Sequence, residues 1–150
     1  MRSTRFGSSS NSNMVQPGFR FHQFKQLSPA MVSAFAKEAG DMNPLHHDED
    51  VASKSVYKQL IASGPHTTSL LMGAIATRFS EMGPMVGLEF SFRFRKAISA
   101  SEQIKIELLV VNVTEHARLG GHLIDLRGRI QKEDGTTALG AKGLILLRNN

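Results

Sequence analysis

From Ser63 or Gly64 to about Glu81 the chain reads as one long helix that demands cover. Leu70, Leu71, Ala74, Ile75 and Phe79 recur at helical spacing, and residues 69–76 are apolar nearly all round. A helix of that kind is buried rather than laid on a surface. Pro65 fits its first turn. The segment that follows supplies the cover. After Gly83-Pro84 the pattern changes to period two, with Phe90, Phe92 and Phe94 alternating with Ser91, Arg93 and Arg95. Residues 104–113, 122–130 and 137–147 give three more strand-like runs. Glu133-Asp134-Gly135 is a hairpin signal between the last two. An apolar helix followed by strands with short connections specifies an α+β fold, an antiparallel sheet wrapped around a buried helix.

Upstream, Phe19, Phe21 and residues 22–24 begin an alternating segment, read as a first strand. Ser28-Pro29 starts a helix, with Ser28 as N-cap and Pro29 in the first position. Met31, Val32, Phe35, Ala36 and Ala39 share one face of it, and Gly40 stands where a left-handed cap would end it. Residues 48–57 hold a second, short helix. The length, 150 residues, suits one domain, expected over residues 19–150. Residues 1–18 are rich in Ser and Asn, hold Arg2 and Arg5 and contain no acid. They are expected to be a flexible tail, with a transit peptide as the alternative.

Composition closes several routes. Cysteine is absent, which removes disulfides, thiolate metal sites and a Cys nucleophile. That suits a reducing compartment, so the cytoplasm is the expected location; an organellar matrix replaces it if the tail is a transit peptide. No apolar run is long enough to span a membrane. The net charge of +5 reads first as solubility and next as contact with a substrate's phosphates. Lys and Arg are scattered along the strands and no RNA-binding or zinc-finger motif occurs, so nucleic acid is not an expected partner. Arg93, Arg95 and Lys96, at one strand's polar side and end, are read as a solvated face, with phosphate contact as the other option.

The chemistry concentrates in residues 40–46, GDMNPLH, directly after the first helix. Asp41 and His46 can trade protons near neutral pH. Pro44 removes a backbone donor and pushes Asn43 out of the α region, so the chain leaves the helix in a turn. Asn43 is read as a brace for that turn, since Asn side chains bond nearby backbone. A lone Asp after Gly, or a lone His, would be a capping or surface residue; together around Asn-Pro they read as an acid–base pair. The run His46-His47-Asp48-Glu49-Asp50 invites a metal reading. Adjacent histidines point apart, though, and acids at a helix start suit its dipole. No metal is expected there, and His47 is expected to be exposed. Ser63-Gly64-Pro65-His66 opens the long helix, whose first N–H groups lack partners within it and suit an oxygen that gains charge. Ser63 has no nucleophile-elbow context. His66 is either a third polar group of a site or a surface histidine. Leu70, Leu71 and Met72 are core by default, with the lining of a ligand tunnel as the other reading.

With its flanks the motif reads FAKEAGDMNPLHHDEDVA, residues 35–52. This resembles the signature of the MaoC-like (R)-specific enoyl-CoA hydratases, a helix followed by Gly-Asp-x-Asn-Pro-Leu-His-x-Asp. The similarity continues to IASG, residues 61–64, and more weakly through the strand pattern, covering roughly residues 19–148. It implies a hot-dog fold in which Asp41 and His46 activate one water. It also implies that Gly64 donates its N–H to a thioester carbonyl, with Ser63, His66 and Asn43 as further oxyanion or substrate-binding candidates. The chain departs from the family's commoner pattern, where a His precedes that Gly and Gly-Met follows nearby. Ser63 precedes it here and Pro65-His66 follow, which bears on the acyl pocket. The activity implied is reversible hydration of a trans-2-enoyl thioester, carried by coenzyme A or an acyl-carrier protein, to the (R)-3-hydroxyacyl product in fatty acid metabolism. The chemistry needs neither redox cofactor nor metal. A homodimer is expected, with the site near the subunit interface. A thioesterase on the same fold, or an acyl-thioester binding protein without turnover, are the alternatives.

Overall fold

The computed structural model describes residues 15–150. Most of the expected tail, residues 1–14, lies outside the described residues. Val15 is buried and the Gly18 N–H donates to Val110 O at 2.8 Å, so the packed chain already includes residues 15–18.

Strand β1 (Arg20–Gln26) leads into helix α1 (Pro29–Glu38), a 3-10 turn (Pro44–His46), helix α2 (Glu49–Lys54) and helix α3 (Gly64–Ser80). Strands β2 (Met85–Phe94), β3 (Gln103–His116), β4 (Gly121–Gln131) and β5 (Thr137–Arg148) complete the chain, with a second 3-10 turn (Ala117–Leu119) before β4. All neighbours pair antiparallel in one five-stranded sheet of order β1-β3-β4-β5-β2. β2 is therefore separated in space from β3, which follows it in sequence, and β1 and β2 form the two edges.

Register shows how the helix meets the sheet. Phe21, Leu108, Gly128, Ala141 and Phe92 lie in one row across the five strands. Gly128 sits at its centre, where an added Cβ would stand 2.9 Å from Leu108 Cδ1 and 3.1 Å from Leu71 Cδ1. Glycine there lets α3 approach the sheet, with Leu71, Ile75 and Phe79 facing Ile106, Leu108, Ile124, Leu126 and Ile130, all buried. Burying such side chains contributes about 1.5–3 kcal/mol each.

The helix is not buried all round. Met72, Gly73 and Ala76 are exposed. The reason is geometric: one sheet covers one side of a helix, and α1 covers only part of the rest. A second correction concerns charge. Basic residues scattered in sequence gather in space, since Arg20, Arg127 and Lys142 share a row on the outer sheet face. Glu107 pairs there with Lys105 and Arg129. No helix among the described residues is long and apolar enough to cross a membrane.

Candidate active site

The turn between α1 and α2 is built by a chain of local hydrogen bonds. Gly40 takes φ +76, a left-handed value that glycine adopts without cost. The Gly40 N–H donates to Lys37 O at 3.0 Å and the Asp41 N–H to Ala36 O at 2.7 Å, a Schellman cap. Asp41 is thus fixed by the way α1 ends. Its Oδ1 accepts from the Asn43 N–H at 3.0 Å, and Asn43 Oδ1 accepts from the Leu45 N–H at 3.1 Å. Asn43 is the expected brace, capping the 3-10 turn that carries His46. Asp48 then caps α2, accepting from Asp50 and Val51.

The distant segment before α3 completes the arrangement. The Ile61 N–H donates to Leu45 O at 3.1 Å, and His46 Nδ1 lies 2.8 Å from Ile61 O. A carbonyl only accepts, so Nδ1 carries the proton, and in the neutral ring Nε2 is left with a lone pair. That Nε2 stands 3.4 Å from Asp41 Oδ2. The His46 side chain is 7% exposed and that of Asp41 31%, so the pair has a buried member and a member open to solvent. Two acceptors this close share a donor best, and a water with two O–H bonds is such a donor.

His47 departs from expectation. It is half-buried, with Nδ1 2.7 Å from Ser33 Oγ and Nε2 2.8 Å from Asp41 O. The Asp41 carbonyl must accept, so Nε2–H donates to it and the Ser33 hydroxyl donates to Nδ1. His47 ties the Asp41 backbone to α1, using the opposite tautomer from His46. Adjacent histidines pointing apart was the right geometry; what sequence lacked was the partner on α1. Among the described residues no group of three or more His, Asp or Glu is placed to hold a metal ion.

Ile61 is followed by Ala62, whose N–H donates to Ile98 O at 2.8 Å, and by Ser63, the buried N-cap of α3. Ser63 Oγ accepts from the His66 N–H at 3.3 Å, so its hydroxyl is engaged in capping. Gly64 holds the first helical position, whose N–H has no acceptor within the helix. It lines a groove of about 580 Å³ together with Ile61, Thr67 and Phe94. His46 and Gly64 are thereby joined through three residues, Ile61 to Ser63, pinned on both sides.

His66 is not a surface histidine. It is 3% exposed, its ring stacked on Phe35 of α1 with centroids 4.5 Å apart and planes at 8°. It is not among the groove residues, and its Nδ1 has no hydrogen-bond partner among the described residues. Burial, then the nearby Lys25 charge, holds its pKa below the ordinary imidazole value. The unfolded chain therefore takes up a proton at His66 that the folded chain refuses. Stability from this group is complete above about pH 6.5, the ordinary value, and is lost as pH falls through that value toward the lowered one. Denaturation midpoints measured across this range should fall with pH in the wild type and fall less in His66→Phe; parallel curves would exclude the effect.

A family profile described as a MaoC like domain matches residues 10–122. A 3-hydroxybutyryl-CoA dehydratase from Methylorubrum extorquens is 29% identical over 85 residues, 56% of this chain and 54% of that protein, so the match spans about half of that relative. An (R)-specific enoyl-CoA hydratase from Aeromonas caviae is 23% identical over 137 residues, 91% of this chain and 98% of that one. The solved structure of an (R)-hydratase from A. caviae has a TM-score of 0.81 at 23% identity, covering 89% of this chain and 97% of the other. That likeness shows the fold, the hot-dog arrangement of sheet around helix.

Proposed function

The chain belongs to the MaoC-like domain family, and from that premise we propose that it is a hydro-lyase that adds water to trans-2-enoyl thioesters and gives the (R)-3-hydroxyacyl product. The observation that carries the reading is the Asp41 Oδ2–His46 Nε2 pair at 3.4 Å, with His46 fixed from behind by Ile61 O. One water would donate its two protons to these two acceptors and aim its lone pair at the β-carbon. As the C–O bond forms, one O–H bond breaks toward the pair. The electrons of the double bond move to the thioester oxygen, held by the Gly64 N–H at the start of α3. A proton then returns from the pair to the α-carbon. Water is added overall, and the reverse sequence is dehydration. The pair would act by ordinary general acid–base catalysis.

The names of the relatives, an (R)-specific enoyl-CoA hydratase and a 3-hydroxybutyryl-CoA dehydratase, support a thioester of coenzyme A as substrate. A homodimer belongs to the proposal. β2 is an edge strand with exposed Val86, Leu88 and Phe94, and the adjoining helix leaves Met72 and Gly73 open. Such an edge invites pairing.

One assay separates the readings. With a four- to eight-carbon enoyl-CoA series, the expected result is loss of enoyl absorbance with no free thiol and a product of (R) configuration on a chiral column. Release of thiol would replace the hydratase by a thioesterase. Binding without either signal would leave an acyl-thioester binding protein.

A further inference from the structure

His47 stands outside the acid–base pair, yet it closes the loop that carries both members. Asp41 and His47 are six positions apart, and the His47 Nε2–H donates to Asp41 O at 2.8 Å across the mouth of that loop. Among the described residues this carbonyl accepts from no other group. The Ser33 hydroxyl meets the ring from the other side, donating to Nδ1 over 2.7 Å, so the closure is anchored on α1. The loop has little other support on its outer side, where Met42, Asn43 and Pro44 are exposed. What the tie controls follows from the backbone. The Asp41 N–H is fixed by Ala36 O, so the variable left at Asp41 is the rotation of the peptide that follows it. That rotation decides where the Asn43 N–H stands. The Asn43 N–H holds Asp41 Oδ1 at 3.0 Å, and holding Oδ1 turns Oδ2 toward His46 Nε2. His47 grips the carbonyl of that same peptide. Its tautomer matters, because a neutral imidazole has one N–H. With that proton on Nδ1, Nε2 would face the Asp41 carbonyl lone pair to lone pair. The Ser33 hydroxyl satisfies Nδ1 as an acceptor and leaves the proton on Nε2.

We infer that His47 is a positioning residue for the hydration step, with Ser33 holding its tautomer: together they set the direction in which Asp41 presents Oδ2 to His46. The inference rests on the hydratase reading for the reaction, but the geometry it invokes exists without substrate. Both ring nitrogens of His47 are engaged, so neither is open to a proton from the reaction. Neither His47 nor Ser33 lines the groove that Gly64 lines, so their effect should fall on turnover and not on thioester binding. Displacing a reacting group by about 1 Å costs on the order of a hundredfold in rate. Losing one neutral hydrogen bond behind it costs about two- to tenfold.

The test compares three variants with the wild type on one enoyl-CoA: His47→Leu, which fills the space without a donor, His47→Gln, whose amide can donate to the same carbonyl, and Ser33→Ala. Melting curves establish that each is folded. In His47→Leu, kcat should fall about ten- to hundredfold with KM nearly unchanged. His47→Gln should recover most of that loss, and Ser33→Ala should lose about two- to tenfold in kcat. Wild-type kcat in folded His47→Leu, a loss confined to KM, or equal losses in the Leu and Gln variants would overturn the assignment. If His47→Leu does not fold, Ser33→Ala decides, and an unchanged kcat there overturns it. Two readouts are independent of turnover. Proton–nitrogen correlation spectra of the wild-type histidine rings should show His47 protonated at Nε2 and bare at Nδ1; the reverse tautomer removes the tie even if hydration is fast. A structure of His47→Leu should show Asp41 Oδ2 and His46 Nε2 separated beyond about 4 Å, outside ion-pair range. That widening upholds the positioning role even if no enoyl thioester is hydrated, when the hydratase reading alone is lost. A retained separation of 3.4 Å overturns it.

Discussion

Asp41→Asn lowers hydration of an enoyl thioester by about two to four orders of magnitude, the usual scale for a general acid–base group, while the folded chain is kept. The substitution is selective for a structural reason. Asp41 Oδ1 serves the turn, accepting from the Asn43 N–H, and an Asn side chain retains that acceptor. Only the charge and basicity at Oδ2, the atom facing His46, are lost. His46→Gln is the matching change. A Gln amide can still donate toward Ile61 O in place of Nδ1, but no lone pair of comparable basicity remains to face Asp41. Its expected loss is of the same order. The double variant should be little worse than the worse single one, because groups that share one water act as a unit. Losses that multiply would mean that the two side chains do independent work. Near-normal turnover by folded Asp41→Asn would remove the pair from the reaction.

How much of this was legible in sequence follows from which interactions are local. The Schellman cap at Gly40, the Asn43 brace and the Ser28, Asp48 and Ser63 caps all join residues a few positions apart, and residue type and spacing announce them. The α+β class was legible too, because the period changes from helical to twofold near Gly83-Pro84 and stays twofold through the last strands. What sequence could not supply was pairing at long range. Nothing local tells that His47 would reach Ser33, fourteen positions upstream, so it was expected to be exposed. Nothing tells that His66 would stack on Phe35. The apolar girth of residues 69–76 announced burial, but the sheet covers one side only, which leaves Met72 open. Arg20, Arg127 and Lys142 are neighbours only through the register of four strands. Arg95 and Lys96 looked like a strand's wet end until Lys132, from the far side of the β4–β5 hairpin, was placed in the same groove.

Gly64→Val is expected to cut the rate by about two to three orders of magnitude, the cost of an oxyanion donor that the crowded carbonyl can no longer reach, roughly 2.7–4 kcal/mol. The sign of φ is no obstacle, because Gly64 is not among the residues with positive φ, although Pro65 after it narrows the conformations open to a β-branched residue. The cost lies in what a side chain meets. A Cβ there would stand 3.0 Å from Phe94 Cε1 and Cζ, so the ring must move, and the two Val methyls then crowd the groove beside the N–H that donates to the carbonyl. Phe94 is 59% exposed and its ring is a free end, so displacing it should cost little stability. That separates two explanations. If the ring's position alone matters, Phe94→Ala should restore the rate in a Gly64→Val background. If the N–H and the space before it matter, the double variant should stay slow, and this is the expected result. Asp41 and His46 belong to a different turn, so Gly64→Val should leave their 3.4 Å pairing intact. The deciding measurement is a structure with a bound hydroxyacyl thioester or a stable analogue. A carbonyl oxygen farther than about 3.5 Å from the Gly64 nitrogen, beyond ordinary hydrogen-bond reach, would move the oxyanion site elsewhere. His66 would be a poor replacement in that event, since its ring is stacked beneath α1 and does not line the groove.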